Sequence, residues 1–442
     1  MPSESPDDRN PPADAPLADP VESARNALAA IDRDARTRIL ATLARRFSDL
    51  DLAEDMIQEA FAQALHTWPQ TGVPNSPEAW LITTAKRKAL DVVRREGVLA
   101  QKLARLRIEE EREPTPHAYA DPATRVGEQP AESVPDDRLA LFFACAHPAL
   151  KTEDRIALTL RFVAGLSTNE VAHGLLVPVP TMQQRIVRAK KRLRTLGVPL
   201  DVPHHRDLPE RLVAVQRVIY LLYTEGFARS TGREHIRDDL TAEAIRLARV
   251  LRSLTPHVAE TTGLLGLLLL TQARRPARTD GAGKPVSLAE QDRAMWDREL
   301  IAEGLALAEE AARAGEGGPY AIQAAIAAVH GEATTFADTD WAQIVVLYRM
   351  LEQVEPGPIV KLGRAVAIGR AFGPAKGLRQ LDDLQTDPVL QGLRQFHTAR
   401  AITLEELGDR EAAVAAYCQA LELPGNDAED EFLIAMLADI ND

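Results

Sequence analysis

Apolar residues recur at three- and four-residue spacing along nearly all of the 442 residues, and alternating runs of β-branched residues are scarce. A chain patterned this way buries one stripe of each helix against its neighbours, so the expected fold class is all-α. Two stretches break the periodicity. From Ile108 to Asp137 nine acidic residues stand against Arg112 and Arg125, with no apolar repeat, which predicts an extended, solvated linker. Val198 to Pro209 carries three prolines and marks a second boundary. The expected division is a disordered Pro- and Asp-rich tail at 1–20, a helical domain at 21–107, an acidic linker at 108–134, a small helical domain at 135–197 and a large helical domain at 207–442.

A formal net charge of −13 argues against a nucleic-acid binder if it is spread evenly, because phosphate affinity comes from Lys and Arg. It is not spread evenly. Residues 1–206 hold 28 Lys and Arg against 29 Asp and Glu, and 207–442 hold 24 against 36. The first half is near neutral and the second strongly acidic. Two cysteines, Cys145 and Cys418, make neither a disulfide framework nor a four-cysteine metal site. The apolar run Gly263 to Leu270 is far short of the roughly 20 residues a membrane helix needs. A soluble, cytoplasmic protein with no membrane partner is expected.

The small middle domain carries a helix-turn-helix pattern. Ser167-Thr-Asn-Glu170 reads as a capping box opening a short helix that places Val171, Ala172 and Leu175 on one face. A turn with Val177-Pro-Val-Pro180 follows, and Thr181 begins a longer helix to about Leu196. From Thr181 to Gly197 it carries Arg185, Arg188, Lys190, Lys191, Arg192 and Arg194 and no acid. Met182, Ile186, Ala189 and Leu193 should face the core, leaving Gln183, Gln184, Val187 and Arg188 exposed toward base edges. Gln suits adenine and Arg suits guanine by bidentate geometry, while Arg185, Lys190 and Lys191 suit phosphates. A solvated basic helix on any helical protein explains the charge but not the capped helix in front of it.

The first domain offers a second pattern. Asp51-Leu-Ala-Glu-Asp-Met-Ile-Gln-Glu-Ala-Phe61 reads as an amphipathic helix capped by Asp51, with Leu52, Met56, Ala60 and Phe61 on its apolar side and Glu54, Asp55, Gln58 and Glu59 opposite. The helix dipole alone favours some of these acids. A Pro/Asn/Ser loop from Trp68 to Pro77 precedes a basic helix at 80–95 with Lys86, Arg87, Lys88, Arg94 and Arg95. Aromatics beside a basic helix suit single-stranded nucleic acid, although Trp68 and Trp80 taken singly are more often core residues.

These two motifs, in this order, closely resemble the extracytoplasmic-function (ECF) sigma factors of the sigma-70 superfamily over residues 21–197. The resemblance implies two small helical sigma domains, region 2 and the helix-turn-helix region 4, joined by the acidic linker. It implies contacts with core RNA polymerase (β′ clamp and β flap) and promoter DNA. Glu54, Asp55, Gln58 and Glu59 would meet the clamp. Asn75, Ser76, Trp80, Lys86, Arg87 and Lys88 would engage and melt the minus-ten element. The linker would thread toward the active-site cleft, where an acidic strand can imitate nucleic acid. Thr181, Gln183, Gln184, Arg185, Val187, Arg188 and Lys191 would read the minus-thirty-five element. Pro180 stands where the family often has Gly, a substitution the first turn of a helix tolerates.

Minimal sigma factors stop near residue 200. Here Thr398 to Pro424 resembles a tetratricopeptide repeat, with Ala401, Leu404, Gly408, Ala413, Tyr417, Ala420 and Pro424 at matching places. Gly373 precedes Gly408 by 35 residues, so a short solenoid of helix pairs is expected. Tyr220 to Phe227, Arg274 to Arg278, Gln291 to Arg298 and Tyr320 to His330 show no clear repeat but resemble the extension of one sigma group, which implies protein contact and control of sigma activity. The partner of this domain would be another protein or, intramolecularly, the chain's own basic helices.

Enzyme patterns are missing: there is no G-x-x-x-x-G-K-[ST], no strand followed by G-x-G-x-x-G and no H-E-x-x-H. Cys145-Ala-His147 reads as a packed thiol, and His204-His205 lacks further ligands, so no catalytic residue, metal or cofactor is expected. The competing reading is a one-component helix-turn-helix regulator with a tetratricopeptide-type sensor.

Overall fold

Asp recurs just ahead of the helices, and its short carboxylate accepts the free N–H groups of a first turn. Asp19, Asp32, Asp49, Asp297, Asp340, Asp387 and Asp409 all do so in the computed structural model. The structure describes residues 19–110, 137–175, 177–203, 206–227, 238–280, 285–315, 317–425 and 427–441. Among these the fold is all-α, with no strand and a single isolated bridge between Thr279 and Pro285. No helix among them is long and apolar enough to cross a membrane.

The chain opens with α1 (Pro20–Ala29), α2 (Arg33–Phe47), α3 (Leu50–Thr71) and α4 (Pro77–Glu110). These are followed by α5 (Arg138–Cys145), α6 (Thr152–Leu158), a π turn at Thr159–Val163, α7 (Thr168–Gly174) and α8 (Val179–Thr195). The described residues divide into two compact units. One compact unit comprises the described residues up to Cys145 with Leu160–Ser167 and Ile186–Pro203. The other comprises Ala146–Thr159, Thr168–Arg185 and the described residues after Pro203. Packing within the first unit is electrostatic as well as apolar. Arg45 reaches Asp137 at 2.8 Å and Asp201 at 3.1 Å, and Arg138 pairs with Asp34 at 3.5 Å.

Helix boundaries also differ from those expected. Helix α4 continues to Glu110, so 108–110 are helical; the remainder of the expected linker and the 1–18 part of the tail lie outside the described residues. Cys145 is fully buried, and burial pushes its thiol up, as suits a packed core thiol. His204 and His205 lie outside the described residues.

In the second unit α9 (Leu208–Phe227), α10 (Asp238–Leu254), α11 (Ala259–Ala273) and α12 (Arg298–Arg313) pack around the buried leucines of α11. Then come α13 (Pro319–Glu332), α14 (Trp341–Val354), α15 (Pro358–Phe372), α16 (Pro374–Asp383), the single turn α17 (Pro388–Gln391), α18 (Arg394–Glu406), α19 (Arg410–Leu421) and α20 (Asp427–Asn441). The repeat pattern is realised as helix pairs. Gly373 and Gly408 sit between α15 and α16 and between α18 and α19 with φ of 99° and 80°, a region other residues avoid. Ala401, Leu404, Ala413, Tyr417 and Ala420 form one core with Leu433 and Ile440 of α20, and Tyr417 donates to Glu405 at 2.9 Å.

His330 is buried against the edge of Trp341, with ring centroids 5.2 Å apart. Burial, reinforced by Arg274 and Arg293, pushes its pKa down to about 4. A base depressed on folding takes up its proton first in the unfolded chain, so stability falls as pH drops from about 6.5 toward 4. Thermal melts across that range should show His330→Gln losing less stability on acidification than the parent; parallel losses would refute the assignment.

Candidate functional site

Helix α3 shows why its polar face is available. Leu50, Ala53, Met56, Ala60, Ala64 and Trp68 are buried along one side. Asp55, Gln58 and Glu59 are exposed on the other, while Glu54 is only half-exposed. The cap is Asp49, whose carboxylate accepts from the Asp51 and Leu52 amides at 2.8 and 3.1 Å. This corrects the expectation that Asp51 caps, and it frees the Asp51 carboxylate for side-chain partners. Leu52 and Phe61, expected on the apolar face, are half-buried.

The expected loop from Trp68 is shorter than its prolines suggest. Helix α3 runs through Pro69 to Thr71 and α4 starts at Pro77. Asn75 and Ser76 remain exposed in the connection. Trp68 is a core residue, and Trp80 packs edge-on against it with centroids 5.4 Å apart, half-exposed. Arg87 is exposed, and Lys88 donates to Glu59 at 3.1 Å. Lys86 is half-buried; burial, followed by Arg46, holds its pKa below the ordinary value.

Helix α7 starts at Thr168, which puts Ser167 at the capping position, and ends at Gly174. Helix α8 starts at Val179, two residues earlier than expected, with Pro180 in its first turn. Met182, Ile186, Ala189 and Leu193 are buried, whereas Thr181, Gln183, Gln184, Val187, Arg188 and Lys191 are exposed and Arg185 half-exposed. Val187 is 59% exposed, an apolar side chain left in water in the middle of a polar face. Bases present a thymine methyl to such a contact.

Within the first unit a cluster of charges joins α3 to the second half of α8. Lys190 pairs with Asp51 and with Glu54. Arg194 reaches Asp51 at 2.5 Å and Asp49 at 3.3 Å. Arg161 pairs with Glu54, and both Arg161 and Lys190 lie over the Phe162 ring, 5.4 and 5.6 Å from its centroid. Burial works against the charge on Asp51, but hydrogen bonds from Lys190 and Arg194 outweigh it and hold the carboxyl below its ordinary value. Lys190, expected on phosphates, is thus engaged with carboxylates. The sequence carried no local signal for this: Asp51 and Lys190 are 139 residues apart.

The Sigma-70 region 2 family matches residues 33–98 and the Sigma-70 region 4 family residues 143–193. A family of unknown function, DUF6596, matches residues 211–312. An uncharacterized protein of Rhizobium meliloti is 40% identical over 399 residues, covering 90% of this chain and 92% of that protein. A probable RNA polymerase sigma-C factor of Mycobacterium bovis is 27% identical, covering 35% of this chain and 75% of its own length. The ECF RNA polymerase sigma factor SigE of Mycolicibacterium smegmatis is 32% identical over 32% of this chain and 50% of its own length. No solved structure matches. The chain belongs to the ECF sigma factors of the sigma-70 family, with a helical C-terminal extension. The region 2 match spans α2, α3 and most of α4, and the region 4 match ends within α8. Among the described residues no group of three His, Cys, Asp or Glu is arranged to hold a metal.

The ion-pair cluster of this sigma factor has a measurable signature. A double-mutant cycle of Asp51→Asn and Lys190→Met should give a coupling of about 1 kcal/mol that shrinks in 1 M salt. A depressed carboxylate contributes fully above its unfolded pKa of about 4. The coupling should therefore be flat from pH 5 to 8 and vanish only in stronger acid; a coupling near zero at low salt would contradict the geometry.

Proposed function

We infer that this sigma factor binds core RNA polymerase, recognises a two-part promoter and opens it, leaving the chemistry of RNA synthesis to the polymerase. The single observation that carries the reading is the pairing, in one chain, of the region 2 acidic face with a region 4 helix whose apolar side is buried and whose Gln183, Gln184, Val187 and Arg188 are exposed. A one-component regulator needs only the second of these.

Asp55, Gln58 and Glu59 are the surface proposed for the β′ clamp. Asn75, Ser76 and Arg87, with the free face of Trp80, are proposed for the minus-ten strand, where stacking and cationic contacts suit unpaired bases. Lys86 and Lys88 contribute less than expected, because one is half-buried and the other is held by Glu59. On α8, Gln184 and Arg188 are proposed to read base edges, and Thr181, Arg185 and Lys191 to hold the backbone. Glu54 is distinct: it engages the clamp only after giving up Lys190 and Arg161. The free sigma factor is thus expected to hold part of its clamp-binding surface against its own α8.

Purified full-length chain mixed with core polymerase should form a complex and give promoter-specific transcripts; neither complex nor transcript on any native promoter would sink the reading. Asp55→Arg combined with Gln58→Ala should weaken core binding about tenfold or more while leaving the fold melting normally. Gln184→Ala and Arg188→Ala should each cost about 1–3 kcal/mol of discrimination at one minus-thirty-five position. Lys190→Met should tighten core binding by releasing Glu54, and unchanged affinity would show that the pairing does not restrain the free protein.

A further inference from the structure

Helix pairs of a repeat bury their faces by stacking on one another, and the stack closes only where facing side chains are large enough to meet. Helices α15 and α18 are the first of their pairs, and α20 packs on the last pair. Between these three helices lies a cavity of about 290 Å³. Small residues, Ala365 and Gly369 of α15 and Ala399 of α18, face it. The rest of its apolar wall is Ile402 of α18 with Phe432 and Leu433 of α20. Protein interiors hold few voids larger than a water molecule. The neighbouring layers obey that rule, being filled by buried Leu381, Leu390 and Phe396 on one side and Leu404 and Tyr417 on the other.

The charges that border the cavity already have partners. Near the end of α18, Glu406 pairs with Arg370 at 2.5 Å, and Arg370 also lies over the Phe336 ring, 5.8 Å from its centroid. At the start of α18, Arg394 reaches Asp430 at 2.6 Å and the Leu423 carbonyl at 2.5 Å, with Glu429 3.8 Å away. A charged occupant would have to break one of these pairs or stand unpaired against an apolar wall, and both are costly. Between the two pairs α18 contributes Thr398 and Thr403. Their hydroxyls donate to the Arg394 and Ala399 carbonyls at 3.1 and 2.8 Å. With those protons committed, the two oxygens can offer only lone pairs. The walls therefore suit an apolar body that carries a hydrogen-bond donor and no charge.

We propose that the cavity between α15, α18 and α20 binds a small neutral molecule, a ring system bearing a hydroxyl or N–H that donates to Thr398 or Thr403. A dry cavity of about 150 Å³ accepts benzene, so 290 Å³ suits a body of two fused rings. An extended chain segment lying along α18 would have to cross the ion pairs at both ends, whereas a molecule of this size fits between them. The site stands independently of the promoter reading, since it uses no residue of the two sigma regions.

The test uses the full-length chain and three probes on one ring skeleton: 1-naphthol, the anion 1-naphthoate and the cation 1-naphthylmethylammonium. Each is titrated by calorimetry near neutral pH. 1-Naphthol should bind saturably with a Kd of about 0.1 mM or tighter. It should raise the melting temperature as its concentration passes Kd, and slow amide exchange in α20, one wall of the site. The two ions should bind about tenfold more weakly or worse. Ala399→Phe, which fills the cavity from α18, should abolish 1-naphthol binding. Thr398→Val combined with Thr403→Val should weaken it about threefold or more, because the acceptors are lost. Ile434→Ala, which removes an exposed apolar side chain of α20 outside the cavity, should bind as the parent does. No saturable binding of 1-naphthol below about 1 mM overturns the proposal and leaves the gap to a protein segment. Binding that Ala399→Phe leaves unchanged also overturns it, since that binding would belong to exposed apolar side chains. An ion that binds as tightly as 1-naphthol overturns the neutral ligand, and full affinity in the double threonine variant overturns the donor. If Ala399→Phe fails to fold, Ile402→Trp carries the same test.

Discussion

The N-terminus of α3 concentrates negative charge where a helix dipole already welcomes it, and that concentration governs what α8 can do. Asp49 is committed to the backbone, Asp51 and Glu54 are committed to Lys190, and Arg194 bridges Asp49 and Asp51. The basic helix therefore divides along its length. Its first turns keep Gln183, Gln184, Val187 and Arg188 in water, while its later cations are drawn onto region 2. One helix thus holds an exposed portion, the one proposed to face DNA, and an internal latch, and the latch is made from groups individually worth little in water. Their strength comes from partial burial: the Lys190 side chain is 13% exposed and that of Glu54 18%.

Such a latch suits a protein that must change partners. An apolar seam of similar extent would hold α8 in every solvent, whereas ion pairs can be traded one for one against the charges of a larger surface. The polymerase reading of α3 requires such a trade at Glu54, and a more exposed one at Glu59, which pairs with Lys88. Asp55, Gln58 and Glu59 are exposed already and can make first contact. Phe162 gives the trade a floor, because its ring face stays in place under Arg161 and Lys190.

Much of this was legible in the sequence, and the limits have physical causes. Periodicity identified the buried side of α8 residue by residue, since Met182, Ile186, Ala189 and Leu193 satisfy a purely local geometric rule. It also located the helix pairs around Gly373 and Gly408, where positive φ demands Gly. It failed where two residues could play one part. Asp49 and Asp51 are both plausible caps, and only the backbone decides between them. It failed again at Trp68, where Pro69 suggested a loop although a proline within the last turns breaks few bonds. Ion pairs across more than a hundred residues leave no local trace, which is why Lys190 read as a phosphate ligand.

The acidic extension is also clearer in three dimensions. A surplus of carboxylates suggested contact with another protein or with the chain's own basic helices, yet many are occupied close to home. Asp297, Asp340, Asp387 and Asp409 cap helices. Glu303 and Glu310 pair with Arg249 and Arg252, and Glu406 with Arg370. Net charge therefore says less about this domain's partners than the distribution of unmet groups does.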